Sequence, residues 1–410
     1  MIKKKSISYE AIVICLLSLL PIVDSINGVL IYTNMPSVGS LYKVCVMGIM
    51  LIMILSNGKG ISKQFGIILV AIIYIFMSIF INYVIGNGGI ISIDYPIKLI
   101  INIILFYVLL QNIKNKHING NTIYKILNNN VYVIILCIVV PYLLGMGYTI
   151  YAGNLGYKGF YYSQNELNAI LIILLFFALH KLSKKIKLWS IIQVIGILIC
   201  ILLMSTKSSL IAIIIGIGIF AFEYMRKENA RKKIVLLGMI SVGTLLVSGF
   251  IIRKIMDMIT RQNSLHSIYK GSLLATLTSG RIFRLEKAWE QLIESDNFII
   301  NMFIGNGFFS KCLVEMDFFD IFFYLGIIGV FFVFAFLMYV IIKGKKASKN
   351  DKNFIIITGL FVIIAFAFLT GHVLFMSSSG WYFVLYCIYI MTYDFNAIED
   401  KTEKLGLIGE

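Results

Sequence analysis

Two arginines, two lysines and a knot of carboxylates stand out in a chain otherwise poor in charge. The stretch Thr278-Ser279-Gly280-Arg281-Ile282-Phe283-Arg284 leads into Leu285, Ala288, Trp289, Leu292 and Ile293. Those apolar residues recur at helical spacing and predict an amphipathic helix at a membrane face. Ser279 is the expected N-cap, which puts Arg281 and Arg284 in the first turn. A helix dipole opposes cations there, whereas an anion is favoured by the free backbone N–H groups. Guanidinium groups at that place suit a bidentate phosphate. The competing reading has them face lipid headgroups or water, like the polar stripe of Lys287, Gln291 and Glu294. Lys207, in the turn Ser205-Thr206-Lys207-Ser208-Ser209, is another cation at a helix start. It is a functional candidate or a snorkelling lysine. Glu315, Asp317 and Asp320 open a later apolar run, with the two aspartates on one helix face. Near cations, such a carboxylate suits a general base acting on a hydroxyl; the simpler role is to complement the dipole. Lys158, Phe160, Tyr161, Tyr162, Gln164, Asn165 and Asn168 place aromatics beside amides, as sugar stacking or an interfacial aromatic belt requires. His372 and the run Ser377-Ser378-Ser379-Gly380-Trp381 close the set.

The elements that position these residues are membrane spans. Of 410 residues, 59% are hydrophobic and 14% charged, against about 25% charged in soluble domains. The mean hydropathy is +0.91. A soluble enzyme, a secreted disulfide scaffold and a disordered chain are excluded. The fold class is all-α: a single polytopic integral membrane domain over 1–410 with about twelve transmembrane helices. The segments are 9–30, 38–56, 64–86, 93–112, 130–148, 166–181, 188–205, 208–224, 233–252, 317–342, 353–373 and 378–395. The first is read as a retained span, because no good small-residue cleavage site follows it.

The net charge of +16 belongs mostly to loops expected in the cytoplasm, such as Lys3–Lys5, Lys181–Lys187 and Arg226–Lys233. That asymmetry sets both termini inside, and no nucleic-acid partner is implied. One large extracytoplasmic loop, 253–316, carries the amphipathic helix and the basic groups Arg253, Lys254, Arg261, Lys270, Arg281, Arg284, Lys287 and Lys311. The sequence holds neither a GxxxxGK[ST] loop nor HExxH, CxxC or a Cys/His cluster. So no structural metal and no cofactor is expected, and the driving force must be carried by a lipid or a gradient.

Read in order, these motifs resemble the O-antigen ligase and polymerase superfamily. The resemblance lies in Ser279-Gly280-Arg281 with Trp289, Ile304-Gly305-Asn306-Gly307-Phe308, the acidic patch, and Tyr324-Leu325-Gly326-Ile327-Ile328-Gly329. The Ser205–Ser209 turn and the loop ending in Asn168 resemble further family features. Pro21-Ile22-Val23-Asp24-Ser25-Ile26-Asn27-Gly28 resembles the first span of Gram-positive polysaccharide polymerases.

The resemblance implies metal-independent, inverting glycosyl transfer at the outer face of a bacterial plasma membrane. The donor would be a glycan on undecaprenyl pyrophosphate, handled among membrane lipids beside flippase and chain-length regulator proteins. It implies pyrophosphate binding by Arg281 and Lys207, helped by Arg284 and Lys158. Glycan contacts fall to Tyr161, Tyr162, Asn165, His372 and Trp381. Family ligases place a His-Asn pair before the xGxxG span; here Glu315, Asp317 and Asp320 occupy that region, with Asp317 the expected base. A polymerase of O-antigen or capsule repeat units is therefore expected, with a ligase as the runner-up. A flippase or transporter is the rival class; transporters usually show related halves and ionisable residues at mid-membrane. A pathway scaffold is a weaker rival.

Overall fold

The computed structural model describes residues 8–56, 63–86, 94–150, 156–227, 275, 278–307, 313–347, 354–371, 373–374 and 376–392. In chain order the helices are α1 Tyr9–Ser18, α2 Leu20–Tyr32, α3 Gly39–Leu55, α4 Lys63–Val84, α5 Asp94–Lys114, α6 Gly120–Leu143, α7 Gln164–Lys184, α8 Leu188–Met204, α9 Lys207–Lys227, α10 Arg281–Ile293, α11 Phe298–Ile304, α12 Asp317–Ala347, α13 Phe354–Thr370 and α14 Ser379–Thr392. Among the described residues, seven helical stretches are long and apolar enough to cross a membrane; α3, α8, α13 and α14 are shorter apolar helices. The chain is thus an all-helical, multi-pass membrane protein. The expected span 233–252 and the loop residues 253–274 lie outside the described residues, so the full count of twelve rests on the sequence.

Two spans differ from expectation. The first is two helices, α1 and α2, meeting at Leu19, whose N–H still bonds Cys15 O. Pro21 follows in the first turn of α2, where a missing N–H is tolerated. The fifth begins at Gly120 instead of 130, because Asn119 and Thr122 form a capping box. The polar run Asn128–Asn130 therefore sits within α6. Asn128 Oδ1 accepts from Lys181 Nζ at 2.6 Å and from Gln193 Nε2 at 3.0 Å, and Asn129 donates to Ser18 Oγ at 3.2 Å. Polar side chains that bond across helices hold such bundles together.

α7 is buried from Leu167 to His180, and α14 from Ser379 to Ile390. Helices enclosed on every side belong to the centre of a bundle. α3, α4 and α9 turn Leu55, Ile67, Phe80 and Ile214 outward, the faces an apolar solvent would cover.

α12 is broken. Gly326 has φ 64° and ψ −169°, separating a stub, 317–325, from the remaining span. Gly305, with φ 72°, faces it. A Cβ on Gly326 would lie 2.2 Å from Phe303 O, and one on Gly305 2.3 Å from the Tyr324 carbonyl carbon. Both places need glycine for conformation and for clearance. Asn306 N donates to Phe323 O at 2.7 Å and Gly307 N to Tyr324 O at 3.0 Å. From α4, Tyr74 Oη donates to Leu325 O at 2.6 Å, Ser78 Oγ to Ile304 O at 2.7 Å and Asn82 Nδ2 to Gly305 O at 2.8 Å. Backbone groups freed inside a membrane bundle need such partners. The two glycine motifs are thus halves of one backbone lock.

Candidate functional site

α10 begins at Arg281, so both arginines do occupy its first turn. The capping differs from expectation: Ser279 has φ 53°, and Gly280, at φ 81°, directly precedes the helix. Thr278 caps instead, its O accepting from Arg281 N at 3.2 Å and its Oγ1 from Ile282 N at 3.4 Å. Ala288 and Leu292 pack with Val314, Met316 and Phe323, while Trp289 stacks on Phe322 at 6.0 Å. α10 is docked on the α12 stub, with Lys287, Gln291 and Glu294 exposed. Docking fixes the arginines against Glu315: Arg281 Nη2 to Oε2 at 3.5 Å and Arg284 Nη1 to Oε1 at 2.6 Å.

The two aspartates serve the backbone. Asp320 Oδ1 accepts from Val314 N at 2.8 Å and its Oδ2 from Met316 N at 3.0 Å. This grip holds Glu315 between them in a left-handed conformation, φ 64°, which costs a non-glycine residue about 1–2 kcal/mol. Asp317 Oδ2 accepts from Val373 N at 2.8 Å and Leu374 N at 2.7 Å. The expectation that Asp317 or Asp320 is the base thus meets a different geometry. Both are buried and hold loop backbone, and among the described residues Glu315 is the member of the trio paired with the arginines.

The described residues between α13 and α14 form a hub. Asn102 of α5 donates to Leu374 O at 2.9 Å and Met376 O at 3.3 Å. Lys43 Nζ donates to Ser378 Oγ and to Asp24 Oδ1, each at 2.9 Å. Ser378 N donates to Glu166 Oε2 at 3.0 Å. The motif from Pro21 to Gly28 feeds this hub from α2. Pro21 O accepts from Tyr161 Oη at 3.0 Å, Asn27 Oδ1 accepts from Gly39 N at 2.9 Å, and Gly28 lies directly beneath Phe160 O.

Lys207 is the first residue of α9, and its turn is fastened to α7. Thr206 Oγ1 donates to Asn168 Oδ1 at 3.0 Å, Asn168 Nδ2 to Ser208 Oγ at 2.7 Å and Gln164 Nε2 to Met204 O at 3.3 Å. Lys158 is buried. Its Nζ donates to Tyr32 Oη at 2.7 Å and to Tyr162 O, and lies over both rings. Burial lowers its pKa to about 8. It braces the 156–163 loop instead of facing an open cleft, contrary to its expected helper role.

Of the expected glycan contacts, Tyr162 is exposed and Asn165 half-buried. Tyr161 and Trp381 are buried in the bundle, so their rings cannot present a face to a sugar. His372 lies outside the described residues.

Sequence reasoning missed Tyr95, Lys98 and Glu166. Tyr95, in the first turn of α5, feels the charges of Asp320, Glu315, Asp94 and Glu166, and its ring packs 5.8 Å from Tyr324. Lys98 Nζ sits 5.4 Å from the Tyr95 ring centre. A signal for Glu166 existed in Ser163-x-x-Glu166, a helix-capping pattern.

No curated protein matches the chain. Residues 260–395 match the model of a family described as O-antigen ligase like membrane protein, a stretch that includes Arg281, Arg284, Glu315, the broken α12 and the loop hub. The matched stretch is less than half of the chain, and over it the protein is similar to the O-antigen ligase-like membrane proteins, a similarity that points to a membrane enzyme of the glycosyl-transfer type in O-antigen-related glycan processing.

Proposed function

We propose that the protein is a polysaccharide polymerase that joins repeat units carried on undecaprenyl pyrophosphate, at the outer face of a bacterial plasma membrane. The observation that carries this reading is the Arg281–Arg284–Glu315 cluster. Two guanidinium groups occupy the first turn of α10, and their carboxylate partner is only 27% exposed yet reachable. A diphosphate entering there replaces one acidic partner with another of higher charge, and the positive end of the helix dipole favours it. Charge that develops on the departing diphosphate meets donors already in place, which is the largest ordinary source of rate in such sites. Lys207 supplies a further cation from the α8–α9 turn. Glycosyl transfer with inversion then needs an acceptor hydroxyl on the opposite face of the donor sugar. Tyr162 and Asn165 are the expected glycan contacts left accessible.

Polymerase is favoured over ligase because acidic residues stand where family ligases carry a His-Asn pair. The outer-face assignment follows from the basic loops.

Purified protein in liposomes with a lipid-linked repeat unit tests the reading. A ladder of products is expected. A single transfer to a foreign acceptor would make it a ligase, and lipid movement without new bonds would make it a flippase.

A further inference from the structure

Five carboxylates gather where α5, α7, α10 and α12 begin, and they are held differently. Asp317 and Asp320 each accept two backbone N–H groups, and Glu315 faces two guanidinium groups. Asp94 is exposed at the first residue of α5, with no side-chain bond among the described residues to orient it. Glu166 differs from all four. It is half-buried, and one bond, from Ser378 N to Oε2, aims it.

Its conformation departs from the local rule. Ser163 Oγ accepts from Glu166 N at 3.3 Å, as in a capping box. The carboxylate of such a box ordinarily reaches back to the N-cap N–H. Here it crosses to Ser378, in the loop whose other end, at Gly371, packs against the Glu315 carbonyl. So one short loop joins an oriented carboxylate, with Oε1 outside the Ser378 bond, to the residue that pairs with the arginines.

We propose that Glu166 is the general base that deprotonates the acceptor hydroxyl. This rests on the reading of transfer from a lipid diphosphate, and holds for a polymerase or a ligase. The hydroxyl oxygen forms a bond to the anomeric carbon of the donor sugar. The carbon–oxygen bond to the diphosphate breaks, and its electron pair leaves on the diphosphate beside Arg281 and Arg284. The hydroxyl proton passes to Glu166 Oε1 and from there to water.

The test uses the full-length protein in liposomes with a lipid-linked repeat unit, and reads turnover at saturating donor, donor affinity and melting temperature. Glu166→Gln keeps an acceptor for Ser378 N and removes the base. Turnover should fall about 10²–10⁴-fold, with donor affinity and melting temperature unchanged. Wild-type turnover in this variant overturns the proposal, and so does a loss confined to donor affinity. Should Glu166→Gln fail to fold, Glu166→Asp and Glu166→Asn decide, since they share length and differ in charge. The aspartate variant should be the faster by at least tenfold; equal rates overturn the proposal. Wild-type protein that forms no glycosidic bond under these conditions would instead sink the glycosyl-transfer reading.

Discussion

The bundle holds two ion-pair centres of opposite character. Lys43 and Asp24 are 3% and 8% exposed and lie between α2, α3 and the loop hub. Arg281, Arg284 and Glu315 are 12%, 44% and 27% exposed. The first centre is enclosed, and each charge depends on the other, because burial strips its water and leaves Lys43, among the described residues, no second charge, only the Ser378 hydroxyl. The second is open to exchange: solvent screens it, and an incoming anion can compete for the guanidinium groups. A buried pair is therefore read as architecture, and a half-open pair with surplus cation as a binding site.

Four experiments sharpen or break this contrast. The largest effect is expected for Asp24→Ala, which strands the Lys43 ammonium and should cost about 3–5 kcal/mol of stability. Thermal unfolding in detergent reads it. Adding Lys43→Met should restore much of the loss, and a double variant as unstable as the single one would remove the distinction. Next comes Arg281→Ala, which should leave the melting temperature close to wild type while turnover drops about 10²–10³-fold. Normal product length would reject the diphosphate role. Glu315→Gln should act in the opposite direction on binding. With the competing carboxylate neutralised, donor affinity should rise by about 2–5-fold, the scale of a half-exposed pair, and weaker binding would give Glu315 a positive part in donor contact.

The smallest effect concerns Lys158, which contrasts with both centres because hydroxyl, carbonyl and rings surround its ammonium. Its pKa of about 8 lies below the ordinary lysine value of 10.5. Between those values the unfolded chain binds more protons than the folded one, so stability should rise with pH across that window. A melting series in Lys158→Met should be flatter from pH 8 to 10.5 than in wild type; parallel curves would remove the assignment.

The contrast also explains what was legible in the sequence. Arg281, Arg284 and Glu315 could be found from residue type and helix position, because helix-start chemistry is local. The backbone N–H partners of Asp317 and Asp320 could not be read ahead of the structure, since no residue code marks them. Tyr161 and Trp381 look like sugar-stacking residues in one dimension, and only packing shows their rings enclosed. Asn128 and Asn129 fell ahead of the expected span 130–148; α6 instead carries them among Lys181, Gln193 and Ser18. Glu166 was hidden because its partner, Ser378, lies more than two hundred residues away in sequence. The order of the glycine motifs was informative for a physical reason: Gly305 and Gly326 are conformationally obliged positions, and such obligations survive in residue identity.

The break at Gly326 has an evolutionary corollary. The stub that follows Asp317 is anchored at its far end to α4, so the interval from Asp317 to Gly326 works as a fixed ruler. One inserted or deleted residue would swing the aspartates by about 100° relative to the anchorage, away from Val373, Leu374 and the Glu315 turn. Length variation among related chains should therefore be tolerated in the loop ahead of α10 and forbidden within these ten positions.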